Sequence, residues 1–351
     1  MAQRKVILSA DSTCDLGEEL KARYDVHYYP FHIILEGQQY QDNVDIHVQE
    51  IYQAYYDRKV LPATAAINVA EYVEYFRPWV DQGYDVIHFC LGGALSSAQK
   101  NCALAARELD GHVFPIDSCS LSTGIGLQII EAGERIQSGM SAAETAEAMK
   151  GIIPRCHASF ILDTLEFMKA GGRCSSVVAF GANLLSLKPC IEVDNADGSM
   201  HVGKKYRGTL KKVLPLYVRD KLTQYGKVKQ DHLFITYSTI DPSYVELVRQ
   251  AVEEVMEFRE IHVTTASCTI ACTAAPTPWA SCSRQNEAPK PVKSAVPQRD
   301  GAFLRASPFG LGFWRKSGKG GLQLLREIAE IAQRSGEKRK IPLTFPLSCV
   351  K

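Results

Sequence analysis

The sequence lacks an excess of charge of either sign, and this excludes several classes of protein. It has 40 Lys and Arg residues against 39 Asp and Glu residues, a formal net charge of +1. A protein whose main function is nucleic-acid binding has a basic surface, so this balance argues against that class. No apolar run approaches the length of a membrane-spanning helix, and the N-terminus MAQRKVILSADS has no signal-peptide pattern. We therefore expect at most transient contact with a membrane.

Regular cysteine spacing is also missing. The 11 Cys residues are scattered through 351 residues without a repeat. An odd number of cysteines in a long chain without an export signal is typical of reduced thiols and not of a disulfide framework. The cysteines therefore predict a cytoplasmic protein.

Strand-like and helix-like segments alternate through most of the chain. Apolar strand patterns at residues 5–10, 86–91 and 112–115 are each followed by small polar residues and a helical pattern. This alternation is typical of an α/β protein with a largely parallel sheet. The length and the 46% hydrophobic content suffice for two domains. We expect a first α/β domain over residues 1–153 and a second over residues 154–273.

The stretch VIHFCLGGALSSAQKNCAL, residues 86–104, has the pattern strand, glycine-rich turn, helix. This pattern places hydroxyl groups and free backbone N–H groups at the start of a helix, where an anion is favoured. No Lys follows the glycines and the G-x-x-x-x-G spacing is missing, which excludes a P-loop, and a dinucleotide fingerprint is absent too. The turn fits a small anion such as a carboxylate or a single phosphate. An ordinary turn whose glycines permit close helix packing is the alternative.

Polar side chains occur at three further places that suit a ligand. Asp11 and Ser12 lie at the carboxyl end of the first strand, where they either meet a ligand or satisfy turn amides. Thr64 is the hydroxyl residue in a loop of small residues before a helix. Arg173 follows two glycines, and its planar donor group suits a carboxylate or a phosphate, although a surface arginine beside a helix end has the same pattern.

Two acidic residues are predicted to cap helices. Asp15 precedes a helical pattern over residues 17–24, and Asp42 begins an acidic segment before the helix predicted over residues 48–58. A divalent cation at the acidic segment is the alternative to a cap.

These segments together resemble the DegV family of fatty-acid-binding proteins over residues 4–272. The matching segments are Ser9-Ala10-Asp11-Ser12-Thr13-Cys14-Asp15-Leu16, Pro62-Ala63-Thr64, Leu91 to Ser97, Gly171-Gly172-Arg173, Leu184 to Pro189 and Arg207. The resemblance depends on the order and spacing of these segments, because no single one is specific.

The resemblance implies two α/β domains that enclose one acyl chain in an apolar tunnel. It implies that Thr64 and Ser96 bind the carboxylate of a long-chain fatty acid, with Arg173 and Arg207 as the nearby arginines. It also implies a carrier without catalytic residues, cofactor or metal, which passes the fatty acid to a separate ATP-dependent fatty-acid kinase subunit. The sequence departs from the family at residues 65–67, where Ala-Ala-Ile stands in place of the family's Ser-Gln-Pro and removes polar groups.

An enzyme that uses the same cleft, for phosphoryl or acyl transfer, is the alternative function. For acyl transfer the candidate residues are Cys90, Cys119, His88 and His157. None of these cysteines is paired with a histidine at a known catalytic spacing, and cysteines in strands are more often core residues. Cys268 and Cys272 lack further ligands nearby, which favours thiols without a metal.

The last part of the chain differs from the rest. Residues 273–308 are rich in Ala, Pro, Ser and Lys and have no periodicity, so residues 274–351 predict an irregular tail. If one cytosine is inserted before the codon of Thr273, the reading frame shifts. The codons of the shifted frame then permit the sequence His-Cys-Gly-Pro-Asn-Thr-Leu-Gly-Val-Leu-Phe, an ending of the kind that the family shows. We infer that residues 273–351 are translated out of frame and that the second domain lacks its final strand. A genuine tail is the alternative.

Overall fold

A computed structural model describes residues 4–178, 187–239, 241–273 and, as backbone, 278–285. Within these ranges the strands are β1 Val6–Asp11, β2 Val26–Tyr29, β3 His32–Leu35, β4 Gln38–Gln41, β5 Ala63–Ala65, β6 Asp85–Cys90, β7 Val113–Asp117, β8 Cys156–Ile161, β9 Leu187–Val193, β10 Met200–Arg207, β11 Val228–Tyr237, β12 Glu260–Thr265 and β13 Pro278–Gln285. The helices of the same ranges are α1 Glu18–Arg23, α2 Val48–Arg58, α3 Val69–Asp81, α4 Ala98–Arg107, α5 Thr123–Gln137, α6 Ala142–Ile152, α7 Glu166–Gly171, α8 Ser175–Val178, α9 Leu210–Gln224, α10 Pro242–Glu253 and α11 Cys268–Ala271. Most of the helix predicted over residues 177–187, and the tail from residue 286, lie outside the described residues.

The first sheet is parallel, as the alternation of strands and helices predicts. Its four strands have the order β2-β1-β6-β7. Parallel neighbours need a crossover connection, so helices lie between them in the chain and all four carboxyl ends meet at one edge. Asp11, the turn after β6 and Asp117 therefore come together at the edge where open α/β sheets bind ligands.

A small antiparallel sheet, β4-β3-β5, lies between the first strands and α3 in the chain. The sequence pattern predicts one strand over residues 26–35, but the structure divides it into β2 and β3. Pro30 lies between them, and a proline has no N–H group with which to continue a ladder. Thr64 is in β5, opposite Ile33 of β3.

The second large sheet has the order β10-β9-β8-β13-β11-β12, and its neighbours are antiparallel except for β11 and β12. The expectation that its final strand is missing is therefore wrong. β13 lies between β8 and β11, with Cys282 opposite Ala158 and Ser281 opposite Ile235. The physical reason is that β8 and β11 each present unpaired backbone groups to the gap between them. An extended segment in that gap pairs with both, whatever its side chains.

One apolar core connects the two large sheets. It contains Leu8 and Phe89 from the first sheet and Phe160 and Phe234 from the second. The described residues all belong to one compact unit, and the α/β fold class is confirmed. The predicted boundary between residues 153 and 154 stays a prediction. No helix within the described ranges is both long enough and apolar enough to cross a bilayer.

Candidate functional site

Thr64, Ser96 and Arg173 line a single cavity of about 380 Å³. They come from β5, from the turn after β6 and from the loop after α7, so the fold brings together three of the four predicted site residues. The larger apolar residues that line the same cavity are Phe31, Leu91, Leu95, Leu121, Met200 and Ile270. The cavity thus combines a few polar side chains with a hydrocarbon wall.

The glycines of the turn after β6 are there because the turn packs tightly against the loop after β7. A Cβ atom on Gly92 would lie 3.0 Å from the backbone of Ser120, and one on Gly93 would lie 2.6 Å from Asp117 Oδ2. The Gly93 N–H also donates to Asp117 Oδ1 at 3.0 Å. β6 ends at Cys90 and α4 begins at Ala98, so the predicted order of strand, turn and helix is confirmed.

The turn uses most of its own backbone donors. The N–H groups of Leu95 and Ser96 donate to the Gly92 carbonyl at 2.8 and 3.2 Å, and the Ala98 N–H donates to Ser96 Oγ at 3.1 Å. The expectation of free N–H groups is wrong for these amides, because a turn this tight closes on itself. Ser96 Oγ acts as an acceptor in that contact, so its own proton stays available to a ligand.

Two cations lie at the polar part of the cavity, and the sequence analysis missed one of them. Arg173 is exposed, and its Nη1 donates to the Gly171 carbonyl at 2.6 Å. Lys100, also exposed, lines the cavity from the first turn of α4. A lysine there opposes the helix dipole, and no acidic residue accompanies it. This unfavourable position of Lys100 is a signal in the sequence for a bound anion, because a negative charge there would offset the repulsion between the lysine and the helix dipole.

Arg207 lies apart from these residues. It is the last residue of β10, is exposed, and stands opposite Leu187 of β9. It is not among the described residues that line the cavity. Its role at the carboxylate stays a prediction.

Asp11 supports the turn from behind. The Leu91 N–H donates to Asp11 Oδ2 at 2.7 Å, and the Tyr72 hydroxyl donates to Oδ1 at 2.7 Å. His88 Nε2 lies 3.0 Å from the same Oδ1, and its Nδ1 lies 2.9 Å from Ser9 Oγ. Through the Leu91 N–H, Asp11 holds this cavity-lining residue in place. Asp11 and His88 are both fully buried, so Asp11 itself does not face the cavity. The interpretation of Asp11 as a residue that satisfies turn amides is the one the structure supports.

Asp15 does not cap the helix that follows it, contrary to the prediction. That helix begins after Gly17, and Asp15 accepts hydrogen bonds from the Ser122 hydroxyl at 2.6 Å and the Ser267 N–H at 2.8 Å. Burial raises the pKa of Asp15 to about 7, although these hydrogen bonds act in the opposite direction. Asp15 thereby holds Ser267, the residue immediately before α11.

Asp42 has a similar position, and the cap predicted for α2 is wrong as well. α2 begins after His47, whose N–H donates to Glu50 at 2.8 Å. Asp42 accepts instead from the Ser12 hydroxyl and from the Cys268 N–H, each at 2.8 Å. Two carboxylates from the first sixth of the chain thus secure α11, whose Thr269 lines the cavity. A contact across more than 200 residues leaves no local signal in the sequence.

The cysteines proposed for acyl transfer are protonated. Cys90 and His88 have ligand atoms within 4.8 Å of each other, but both are fully buried, and burial raises the pKa of the Cys90 thiol well above its usual value. Partial burial raises the pKa of Cys119 to about 11. His157 stacks on Tyr225 with ring centres 3.9 Å apart. A thiol is a weak nucleophile in its protonated form, so these positions give acyl transfer no activated thiol.

Comparison with known families identifies the chain. A family model described as "Uncharacterised protein, DegV family" matches residues 5–283. The chain belongs to the DegV family. The matched range includes every segment on which the resemblance was based, from the strand before Asp11 to Arg207.

Relatives and solved structures agree with this membership. DegV domain-containing proteins of Deinococcus radiodurans and Clostridium perfringens are 29% and 30% identical to it over 223 and 210 residues, which is 63% and 60% of this chain and 79% and 75% of theirs. A structure described as fatty acid binding of a DegV family protein from Thermus thermophilus has a TM-score of 0.73 and 26% identity, and covers 80% of this chain and 99% of its own. A DegV lipid binding protein from Thermotoga maritima, at 21% identity, has a TM-score of 0.71 over 81% of this chain and 99% of its own, and supports the fold alone.

Proposed function

We propose that this DegV-family protein binds one long-chain fatty acid in the cavity, with the carboxylate at Thr64, Ser96 and Arg173. The observation that carries the proposal is that these three polar side chains, from distant parts of the chain, line one cavity with an apolar wall. The Thermus thermophilus relative of the same fold is described as fatty-acid-binding. A fatty acid matches this arrangement because it has one anionic end and is otherwise hydrocarbon.

The apolar wall supplies most of the binding free energy in this proposal. Transfer of about 14 methylenes from water at ~0.8 kcal/mol each gives a gross ~11 kcal/mol before ordering costs. A carboxylate that enters the cavity loses part of its water shell and needs hydrogen-bond donors in its place, which Thr64 and Ser96 would provide. The hydroxyl groups carry no charge, so Arg173 and Lys100 supply the positive potential that retains the anion.

The polar part of the cavity is accessible from outside, and this supports presentation of the carboxylate to a partner. Ser97, Lys100 and Arg173 are exposed, whereas the apolar Leu91 and Leu121 are buried. We propose that the partner is a separate fatty-acid kinase subunit, as the family resemblance implies. No disulfide joins the nine cysteines whose side chains the structure describes, which suits the reducing cytoplasm that we propose as the protein's compartment.

Extraction of bound lipid tests the ligand. The full chain is purified, denatured and extracted, and the extract is analysed by mass spectrometry. We expect about one long-chain fatty acid per protein molecule, and none after delipidation. A delipidated protein that takes up no fatty acid in a fluorescence titration would contradict the proposal. ATP turnover by the protein alone would favour the enzyme instead, whereas acyl-phosphate formation only with an added kinase subunit would support the carrier.

Arginine variants test the placement of the carboxylate. We expect Arg173→Ala to weaken fatty-acid binding several-fold to about tenfold, less than a buried charge would give, because the guanidinium is exposed and screened. The loss should shrink at high salt. Arg219→Ala, at an exposed arginine of α9 that is not among the described residues lining the cavity, is the matched control and should leave the affinity within about twofold of the wild type at both salt concentrations. An Arg207→Ala loss that exceeds the Arg173→Ala loss would move the carboxylate away from this cavity.

A further inference from the structure

A second group of polar side chains lies where β11 and β12 run side by side. β12 begins at this group and leads, at its other end, to α11 and the cavity-lining Thr269. The two strands are parallel, with His232 opposite Glu260 and Phe234 opposite His262. Side chains two residues apart on a strand point to the same face, so His232, Glu260 and His262 share one face of the sheet.

The three side chains stand at distances that suit a single metal ion. His232 Nδ1 and His262 Nε2 are 3.0 Å apart. Glu260 Oε1 lies 3.9 Å from His232 Nδ1, and Glu260 Oε2 lies 3.8 Å from His262 Nε2. Two nitrogen ligands of a tetrahedral zinc ion, with bonds of about 2.0–2.1 Å, are ~3.3 Å apart. Small side-chain adjustments therefore let all three groups reach one ion.

The hydrogen bonds around the two histidines indicate that both rings are neutral. Arg259 Nη2 lies 2.9 Å from His232 Nε2, and because a guanidinium only donates, this ring nitrogen carries no proton. The proton of His232 is therefore on Nδ1, and His262 Nε2 accepts it. Neutral imidazole is the form that binds a metal.

Metal binding requires His232 Nε2 to exchange its present partner, Arg259, for a hydrogen-bond acceptor, and Glu134 is that acceptor. A metal on His232 Nδ1 leaves the ring proton on Nε2, so Arg259, which is 58% exposed, has to move away. Glu134 Oε1 lies 3.7 Å from that nitrogen and can accept the proton's hydrogen bond. Metal-binding histidines usually donate their other N–H to such a carboxylate. Arg23 holds Glu260 by Oε2 at 2.8 Å, and Glu260 Oε1, which lies 3.7 Å from Arg259 Nε, is released for the metal when Arg259 moves away.

We propose that His232, His262 and Glu260 bind a divalent cation of the zinc class, with Glu134 accepting a hydrogen bond from His232. Two imidazoles and one carboxylate are a donor set that zinc accepts, with the fourth position left to water. The other cluster of potential ligands within the described residues, around Cys90, is fully buried, and its histidine is already bonded to Asp11. The bound ion joins the edge strand β12 to β11 and, through Glu134, to α5.

Titration of the untagged full chain with Zn²⁺ alone tests the site. The protein is first stripped with a chelator, and binding is followed by calorimetry and by thermal unfolding. We expect one Zn²⁺ per chain, a higher unfolding temperature and slower amide exchange in β12. His262→Ala and Glu260→Gln should each weaken binding at least tenfold, and Glu134→Gln about tenfold to a hundredfold. X-ray absorption should show nitrogen and oxygen ligands.

His201→Ala is the matched control, because His201 also lies beside a glutamate on a strand, 4.0 Å from Glu192, but has no second histidine near it in the described structure. It should bind Zn²⁺ as the wild type does. If metal-free His262→Ala proves unfolded, Glu260→Gln and the absorption spectrum of the wild type decide the question. Absence of stoichiometric binding, unchanged affinity in Glu260→Gln, or sulfur ligands in the spectrum would overturn the proposal.

Discussion

The Ser96 hydroxyl has two roles, since it accepts a hydrogen bond from the Ala98 N–H and lines the cavity. We expect Ser96→Ala to lower fatty-acid affinity several-fold to about a hundredfold, because a hydrogen bond to a charged group contributes about 1.5–3 kcal/mol and a neutral one about 1. The fold should persist, since the side chain is small and only half-buried. A lipid titration checks the affinity, and circular dichroism checks the fold.

Ser141→Ala is the control that separates the two roles. Ser141 caps α6 and accepts the Glu144 N–H, so its loss removes a comparable bond between a serine hydroxyl and a helix amide at a position that is not among the described residues lining the cavity. Ser141→Ala should lose about 0.5–2 kcal/mol of stability and Ser96→Ala about 1 kcal/mol, but only Ser96→Ala should lose affinity. Equal affinity in the two variants would remove Ser96 from the proposed site.

Part of this candidate site could be predicted from residue types and their order in the sequence. Contacts between residues far apart in the chain could not. Thr64, Ser96 and Arg173 follow from the family resemblance and come to one cavity. Lys100 was missed because a lysine in a helix usually marks a solvated face, and only its position in the first turn is unusual. The bonds of Asp15 to Ser267 could not be predicted, since nothing in either local sequence specifies the other.

Two buried carboxylates, Asp15 and Asp42, attach α11 to the first part of the chain. Burial raises the pKa of Asp15 from its ordinary 3.8 to about 7 in the folded protein. The folded state therefore binds this proton more tightly than the unfolded state, and stability from Asp15 falls as pH rises from about 4 to about 7. We expect Asp15→Asn, which cannot ionise, to gain stability relative to the wild type over this window and to stay level above it. Urea unfolding at a series of pH values measures the difference.

Asp241→Asn is the control for this pH dependence. Asp241 is exposed and accepts the Ser243 N–H at 2.8 Å, and this bond lowers its pKa. Because this pKa is lowered, the contribution of Asp241 to stability changes with pH only below its ordinary pKa. The difference in unfolding free energy between Asp241→Asn and the wild type should therefore be flat between pH 4 and 7. Asp42, whose pKa burial also raises, stays in both variants. A flat difference for Asp15→Asn would mean that Asp15 ionises in the folded protein as freely as in the unfolded chain.

The predictability of each element depends on how much apolar pattern its own residues contain. β6 is an apolar run between polar residues, and α9 over residues 210–224 has the predicted bounds. β4, with the sequence QQYQ, and β5, with three residues, were missed because neither has an alternating apolar pattern. β13 was missed for a different reason, since its position is specified by the gap between β8 and β11.

At the scale of the whole molecule, β13 has a central position and an unsuitable sequence. The segment PWASCSRQ has little of the apolar, β-branched character typical of a central strand. The alternative reading frame would place Thr-Leu-Gly-Val-Leu-Phe over the same stretch. We expect restoration of that frame to raise the unfolding temperature, by about 2–4 °C for each kcal/mol gained, and to improve lipid retention. Differential scanning calorimetry and lipid extraction measure both.

A chain that ends after Gln285 in the written frame is the control for this prediction, because it keeps β13 and omits everything that follows. If restoring the frame stabilises the protein by improving β13, this shortened chain should unfold at about the same temperature as the written protein. The restored chain should then unfold at a higher temperature than both. A restored chain no more stable than the written one would contradict the frame-shift inference and favour a genuine tail.

The central position of β13 also has a consequence for biosynthesis. The strands of the first sheet end at Asp117, so that sheet can form while most of the chain is still being translated. The second sheet cannot close until Pro278–Gln285 has left the ribosome, because that segment separates β8 from β11. At about 5–20 residues per second, the nascent chain carries two open strand edges for seconds after Tyr237 is made. We expect these edges to be most open to pairing with other chains late in translation, before β13 closes the gap.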